Sequence, residues 1–559
     1  MGRRLLLPAL IPSFRSAKRG PRLAWGGSTL RAALGLAVSA TAVASCFTGS
    51  DGLVPPTKDL YFPTSLLVSP GRTTLYVANS DFDLQYNGGT IQAINLETVG
   101  DQPGLRDIAR KAASGFAEGL DETSLCTSLG TVPNVTRTLH PGACAAIDYT
   151  PFVRSFATVG AFTSGLTLLS REDGPGARLF ASVRGDPSVT YFDVDDDRDP
   201  SEIVSPCSGA FCLECEGAGD ELRCARSHRV GENIFTSQRG LLMPTEPTGV
   251  ASQVHAGGDA VILPHQTSAT ASLVVNQWPV AGATTPFQTT PSLEFLLEGL
   301  SEAPTGVAAL PRPAFADVEG VSYRPGFVIS YRASASLSVL RYFDDAGATP
   351  PRPFLVRESD LAITLSNDGS DSRGIAFDTT DRDACEASCD AEDSGCLREC
   401  LETPVGFYLA NRTPSALLVG TLVAEANEVD GVVTSLTEKL SLDESVPMPI
   451  GPANVAIGRV VGQDGNFEQR VFVADFDSRF ITVYDPRLRR VETMIRMGRG
   501  PAGMAFDTGL NDSGDPESFL YTASFTDSYL SIIHLDTRES SYATPIVNIG
   551  PPVAPREEQ

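Results

Sequence analysis

An all-β repeat architecture is what this sequence predicts, and three observations carry that expectation. Two stretches near the C-terminus run in parallel. GPANVAIG (451–458) is followed by RVFVADFDSRFITVYDP and VETMIRMGRG, and GPAGMAFD then opens a second copy with SFLYTASFTDSYLSIIHLD and ATPIVNIG. Each copy holds a short apolar strand after Gly-Pro, a second ending in a small polar turn, a third ending in Asp and a fourth before the next Gly. Val471, Val473 and then Ile481, Val483 alternate with other residues, as half-buried strands do. Four antiparallel strands per unit, repeated radially, make a β-propeller blade.

Fainter copies precede these two. RLFASVRGDPSVTYFDVD (178–195) holds two middle strands. PTGVASQ (247–253) goes with DAVILPHQTSATASLVVNQ (259–277), and PTGVAAL (304–310) with GFVISYRASASLSVLRYFD (326–344). RGIAFD (373–378) continues at GFYLANRTPSALLVGTL (406–422), beyond a cysteine-rich interruption. The count gives a single propeller of seven four-stranded blades, starting near 63, 150, 247, 304, 373, 451 and 500. Six or eight units fit the spacing too, and a β-sandwich array is the alternative architecture. The Gly-Pro starts and the Asp that ends several third strands favour the propeller. The organisation reads as a leader over 1–45, a tether over 46–60, the ring over 61–553 and a tail over 554–559. Loop insertions fall at about 98–149, 200–245 and 379–403.

PTSLLVSPGRTTLYVANSDFD and the GGTIQAINLE after it, within Pro63–Glu97, resemble the YVTN-type propeller repeat. Tyr76-Val77-Ala78-Asn79 is nearly its name-giving tetrapeptide; Phe472-Val473-Ala474-Asp475 and Tyr521-Thr522-Ala523-Ser524 are weaker copies. The resemblance covers roughly half the chain beyond the leader and implies a fold, not a function.

The N-terminus reads as an export signal. Arg3, Arg4, Arg15, Lys18, Arg19, Arg22 and Arg31 form a basic region without acids, and the apolar segment Ala32–Ala44 follows. That segment is too short and too rich in Ala, Ser and Thr to span a membrane. Val43-Ala44-Ser45-Cys46 resembles a bacterial lipobox. The resemblance implies cleavage before Cys46, lipidation of its thiol and a firm multi-chain anchor. By enterobacterial sorting rules, Phe47 instead of Asp after the cysteine implies an outer-membrane lipoprotein of the cell envelope.

Loss of residues 1–45 removes seven cations and no acid, taking the formal charge from −25 to −32. Such a surface is expected to repel DNA, RNA and anionic lipid, because affinity for polyanions is built from Lys and Arg contacts. The remaining chain exceeds one ordinary core, and a toroidal repeat reaches that size without splitting into domains.

Ten cysteines remain besides Cys46, an even number that suits disulfides in an oxidising compartment. Cys126 and Cys144 can close one loop. Cys207, Cys212, Cys215 and Cys224 form a second group whose three connectivities stay open. Cys385, Cys389, Cys396 and Cys400 form two CxxxC pairs. On two short helices these face one another, which favours Cys385–Cys400 and Cys389–Cys396 in a small helical hairpin. Zinc is the competing reading, with Cys212-x-x-Cys215 as its best spacing.

Catalytic constellations are scarce. The histidines are His140, His228, His255, His265 and His534, with no HExxH, GxSxG elbow or P-loop. His255 and His265, ten apart, read as surface or turn residues before metal ligands. Asp193, Asp195, Asp197 and Asp199 recur every second residue like the start of a calcium loop. Arg198 replaces the turn glycine, and Val204 stands where the bidentate Glu belongs. A solvated acidic turn is the plainer reading there and at NDSGDPE (511–517). Trp278 is the one tryptophan beyond the leader, so a carbohydrate platform has little support. No cofactor is expected beyond that candidate Ca2+. The function read from sequence is a lipid-anchored, non-enzymatic binding or scaffold propeller for an envelope partner or ligand. The alternative is an exported, lactonase-like hydrolase or lyase working at the central channel.

Overall fold

A computed structural model describes residues 53–98, 103–171, 176–198, 212–217, 222–278, 289–365, 370–390, 392–430 and 432–552. Residues 1–52, which include the expected leader and Cys46, lie outside these residues. Among the described residues, twenty-eight strands form seven four-stranded antiparallel sheets. Blade 1 is β1 Pro63–Val68, β2 Thr74–Asn79, β3 Thr90–Asn95 and β4 Val153–Thr158. Blade 2 is β5 Thr163–Ser170, β6 Ala177–Val183, β7 Ser188–Val194 and β8 Arg229–Val230. Blade 3 is β9 Ala251–Gln253, β10 Asp259–His265, β11 Thr270–Asn276 and β12 Ser292–Leu297. Blade 4 is β13 Pro304–Ala309, β14 Gly326–Tyr331, β15 Ser336–Phe343 and β16 Phe354–Ala362. Blade 5 is β17 Ser370–Asp378, β18 Val405–Thr413, β19 Ser415–Val429 and β20 Val432–Pro447. Blade 6 is β21 Pro452–Val461, β22 Phe467–Asp475, β23 Phe480–Asp485 and β24 Arg490–Arg496. Blade 7 is β25 Pro501–Leu510, β26 Pro516–Ser524, β27 Tyr529–His534 and β28 Thr544–Ile549. The first strands of the blades neighbour one another in order, and β25 returns to β1. The ring is a seven-bladed propeller, with those strands around its axis.

The irregular starts of the first strands have a packing cause. Six of the seven first strands carry a register shift just inside their start, as at Pro63/Ser65, Pro304/Val307 and Pro501/Met504. There the backbone of one blade meets that of the next. A Cβ on Gly306 would fall 1.8 Å from the Arg373 carbonyl oxygen, and one on Gly374 2.7 Å from Asn454 Cα. Short side chains then tie blade to blade. Thr64 Oγ1 donates to the Thr163 carbonyl (2.9 Å), Thr248 Oγ1 to Thr305 (3.0 Å), Ser330 Oγ to Arg373 (2.7 Å) and Asn454 Nδ2 to Ala502 (3.2 Å).

The middle strands depart from the alternating expectation. In β2, β10, β11, β26 and β27 essentially every side chain is buried. Each blade is covered on both faces by its neighbours, so the polar side of the pattern disappears. The second unit also begins later than its expected start near 150. Residues 153–158 pair with β3 as the outer strand of blade 1, and blade 2 starts at β5. The insertion after β3 separates two strands of one sheet. It holds α1 (Leu105–Ala117) and α2 (Glu122–Ser128), and Cys126–Cys144 closes it. The Asp107 side chain accepts the Gly104 N–H (2.8 Å) to start α1, whose Leu105, Ala109 and Ala112 pack with Ile546 and Val547 of blade 7.

Residues 53–60, the part of the expected tether that is described, are fastened to the ring. Leu53 bridges Tyr86, the Gln92 amide donates to the carbonyls of Thr57 (3.0 Å) and Asp59 (3.1 Å), and Leu60 is buried. Residues 53–60 therefore lie against blade 1.

Candidate functional site

The end of the ring where the first strands begin is its upper face; the end where they finish is its lower face. Beneath blades 4 and 5 a lobe projects from the lower face. It combines α3 (Thr380–Ala387), α4 (Ser394–Glu399), a 3-10 turn at Ala314–Asp317 and the overlong hairpin β19–β20. Phe315, Leu397, Leu401 and Ala424 form its own small core. Asp393 caps α4 by accepting from Gly395 N (3.1 Å) and Cys396 N (3.0 Å). Buried Arg382 donates to the Pro311 carbonyl (3.0 Å), and Glu386 accepts the Ala314 N–H (3.0 Å). Cys385 pairs with Cys400 and Cys389 with Cys396, the nested arrangement of a helical hairpin. Exposed Val429 and Val432 sit at the hairpin tip.

Two recesses flank this lobe. One, ≈ 660 Å³, has Leu168, Val254 and Leu310 in its wall together with Arg171, Arg198 and Arg312. The other, ≈ 810 Å³, runs between blades 5 and 6, with Asp381, Asp443 and Glu468 facing Arg470 and Arg489. Arg470 binds Glu468 (2.8 Å) and Glu492 (2.5 Å). Burial works against the Arg470 charge, but those acids more than offset it and raise its pKa. These ion pairs suit recognition of polar surfaces rather than proton transfer.

The upper face is aromatic. Phe62, Phe82, Phe162, Phe476 and Phe525 come from blades 1, 2, 6 and 7 and their connections. Ring contacts join them: Phe62–Phe525 (5.1 Å), Phe82–Phe525 (5.3 Å), Phe82–Phe162 (5.8 Å) and Phe476–Phe525 (6.0 Å). Beside them Asp81 is buried, with Oδ2 unpartnered and Oδ1 accepting the Tyr86 N–H (3.1 Å). Burial pushes the Asp81 carboxyl up to about 7. These phenylalanines were not among the sequence candidates. Their signal was available: Phe476 and Phe525 each follow the YVTN-like tetrapeptide directly, and Phe82 comes three residues after Asn79. The tetrapeptide's last position is itself structural. Asn79 bonds Thr90 (3.1 Å), and Asp475 accepts from Thr482 (2.6 Å).

The other sequence candidates divide. Cys46, Cys207 and Asp199 lie outside the described residues. Cys212 is disulfide-bonded, and Cys215 pairs with Cys224, one of the partners the spacing left open. The Asp193 carboxylate binds buried Arg178 (2.7 Å). Asp197 instead caps the β1–β2 turn, accepting from Gly71 N (2.7 Å), Thr73 N (3.0 Å) and Thr73 Oγ1 (2.6 Å). Among the described residues no three carboxylates, Asp195 included, offer oxygens within 4.8 Å of one another. Asn511 accepts from Ser513 N and Asp515 N, both 2.9 Å, in a plain surface turn. Trp278 donates to Asp259 (2.8 Å) and packs under Arg178. His265 Nε2 lies 2.7 Å from Ser272 Oγ, yet both are fully buried between strands, and burial pushes the imidazole down to about 4. His255 is partly buried, accepts the Gly257 N–H (3.0 Å) and does not meet His265 at a common site.

No family model matches the chain, and no curated protein matches its sequence. Among solved structures it is similar to hydrazine synthase of Kuenenia stuttgartiensis, at 10% identity over 87% of this chain and 98% of that one, with a TM-score of 0.39. It is also similar to Sqt1 of Saccharomyces cerevisiae, at 8% identity over 84% and 94%, with a TM-score of 0.37. The fold assignment stands on the strand order itself.

Proposed function

We propose that this chain is an exported lipoprotein, anchored through Cys46 in the cell envelope. It acts there as a non-enzymatic binding or scaffold propeller for an envelope partner or ligand. The lipobox-like VASC and the YVTN-like tetrapeptides support the address and the repeat type. The observation that carries the binding role is the lower-face lobe: two disulfides and a separate small core hold loops out from a rigid ring. Loops set on a rigid scaffold commonly carry recognition. A channel hydrolase, the alternative reading, would need acids, Arg and His converging around a substrate space at a channel mouth.

A photo-crosslinking residue placed at Val432, in cells of the source organism, tests the proposal. A discrete adduct at Val432, absent from a control placed at exposed Leu510, is expected. No adduct at any lobe position, together with ester or lactone turnover by the purified protein, overturns it.

A further inference from the structure

The upper face carries an apolar patch that the binding role leaves unused. Leu53 is 60% exposed, Val54 49%, Phe82 52%, Leu84 60% and Ile450 71%. They belong to one surface. Leu53 bridges Tyr86 in the loop that carries Phe82 and Leu84, and the Leu53 carbonyl accepts the Asn87 N–H (2.9 Å). Phe82 touches Phe162 and Phe525, and Phe525 touches Phe476. Ile450 stands next to Phe476, its carbonyl accepting the Ser478 N–H (3.1 Å). Apolar patches of this kind mark contact surfaces.

The chain itself points to the occupant. Six residues separate Cys46 from Leu53. Fully extended, that stretch spans at most about 25 Å. Because residues 53–60 are docked on blade 1, no further slack is available. The chain therefore leaves the ring within the apolar patch, close to its lipid.

The charges agree. For a chain of formal charge −32 after loss of residues 1–45, contact with lipid headgroups needs local neutralisation. Five acids at this face have arginine partners: Asp186 with Arg223 (3.6 Å), Glu246 with Arg184 (3.4 Å), Asp371 with Arg373 (2.8 Å), Asp477 with Arg412, and Asp527 with Arg499 (2.6 Å).

We infer that the upper face is the membrane-apposed surface of the ring, with Leu53, Val54, Phe82 and Leu84 dipping into the lipid interface. This rests on the Cys46 anchor. It turns the lower-face lobe away from the bilayer, toward a partner. The contact is interfacial, of the kind made by shallow apolar side chains flanking a lipid anchor.

The full lipidated chain in phosphatidylethanolamine–phosphatidylglycerol vesicles, with or without brominated acyl chains, tests this. Phe82→Trp and Leu84→Trp each add one fluorophore to the wild-type background, so a poorly folding variant leaves the other available. Expected is co-flotation with vesicles and, in brominated lipid, a roughly twofold loss of the added emission, with the wild-type signal unchanged. Flotation with no quenching of either variant overturns the inference while sparing the anchor. Failure of the wild-type protein to float overturns the anchor, and the inference with it.

Discussion

Arg106 Nε lies 2.6 Å from Asp507 Oδ2, across 401 residues of chain. Arg72 Nε reaches the other oxygen of the same carboxylate at 2.7 Å, and Arg110 binds Glu517 at 2.8 Å. Asp507 is fully buried. Burial works against the Arg106 charge, but Asp507 more than offsets it, and the guanidinium pKa is raised. Blades 1 and 7 are each complete in their own strands, so no shared sheet fastens the ring. This cluster and α1 close it, with the Phe62 N–H donating to Ser528 Oγ (3.0 Å) on the upper side. Asp507→Ala is expected to cost about 3–5 kcal/mol in denaturant unfolding, because it strands two cations at the seam. Glu444→Ala, which breaks the surface pair with Arg489, should change stability by less than about 1 kcal/mol.

Gly306→Ala should destabilise the ring by about 1–3 kcal/mol, because the new Cβ meets backbone of the next blade that cannot move aside. Gly347→Ala has open space around its Cβ and should be neutral. Thermal unfolding of the two variants side by side checks this.

Reduction should loosen the lobe before the ring. Cys385–Cys400 and Cys389–Cys396 close loops of 15 and 7 residues around a core of few side chains. Loss of each bridge is expected to cost the lobe about 2–4 kcal/mol. Limited proteolysis of Cys385→Ser/Cys400→Ser should cut within 380–402 while the blades stay intact.

Stability should fall as pH rises between about 4 and about 7. Burial pushes the Asp475 carboxyl from 3.8 up to about 7, against the hydrogen bond from Thr482. An acid raised by folding binds more protons folded than unfolded over that window, so its contribution declines as pH rises and then levels off. Asp475→Asn, which keeps an acceptor for Thr482, should flatten that slope and stabilise the protein above pH 7, as read by denaturant midpoints across pH.

The seven-fold repeat was legible in the sequence because the Gly-Pro starts and the Asp that ends several third strands recur along the chain. Periodicity could not assign 153–158 to blade 1, because an insertion parted it from its sheet partner β3. Alternating hydrophobicity misled for Val471 and Val483, whose strands are buried on both sides. The run of Asp193, Asp195, Asp197 and Asp199 resembled the start of a cation loop, but β7 ends at Val194, so Asp193 lies on the strand while Asp197 lies in the turn beyond it. Asp193 therefore turns to Arg178, whereas Asp197 reaches another blade. Phe82, Phe476 and Phe525 recur just after the tetrapeptide positions, but that they meet one another and Phe162 follows only once the ring closes.

The most direct test of the account is the intact mass of the protein purified from its native membrane, alkylated with and without prior reduction. A chain beginning at Cys46 with added acyl mass, no alkylation before reduction and ten sites after it is expected. An unlipidated chain, or thiols that react without reduction, would contradict both the envelope anchor and the disulfide-held lobe.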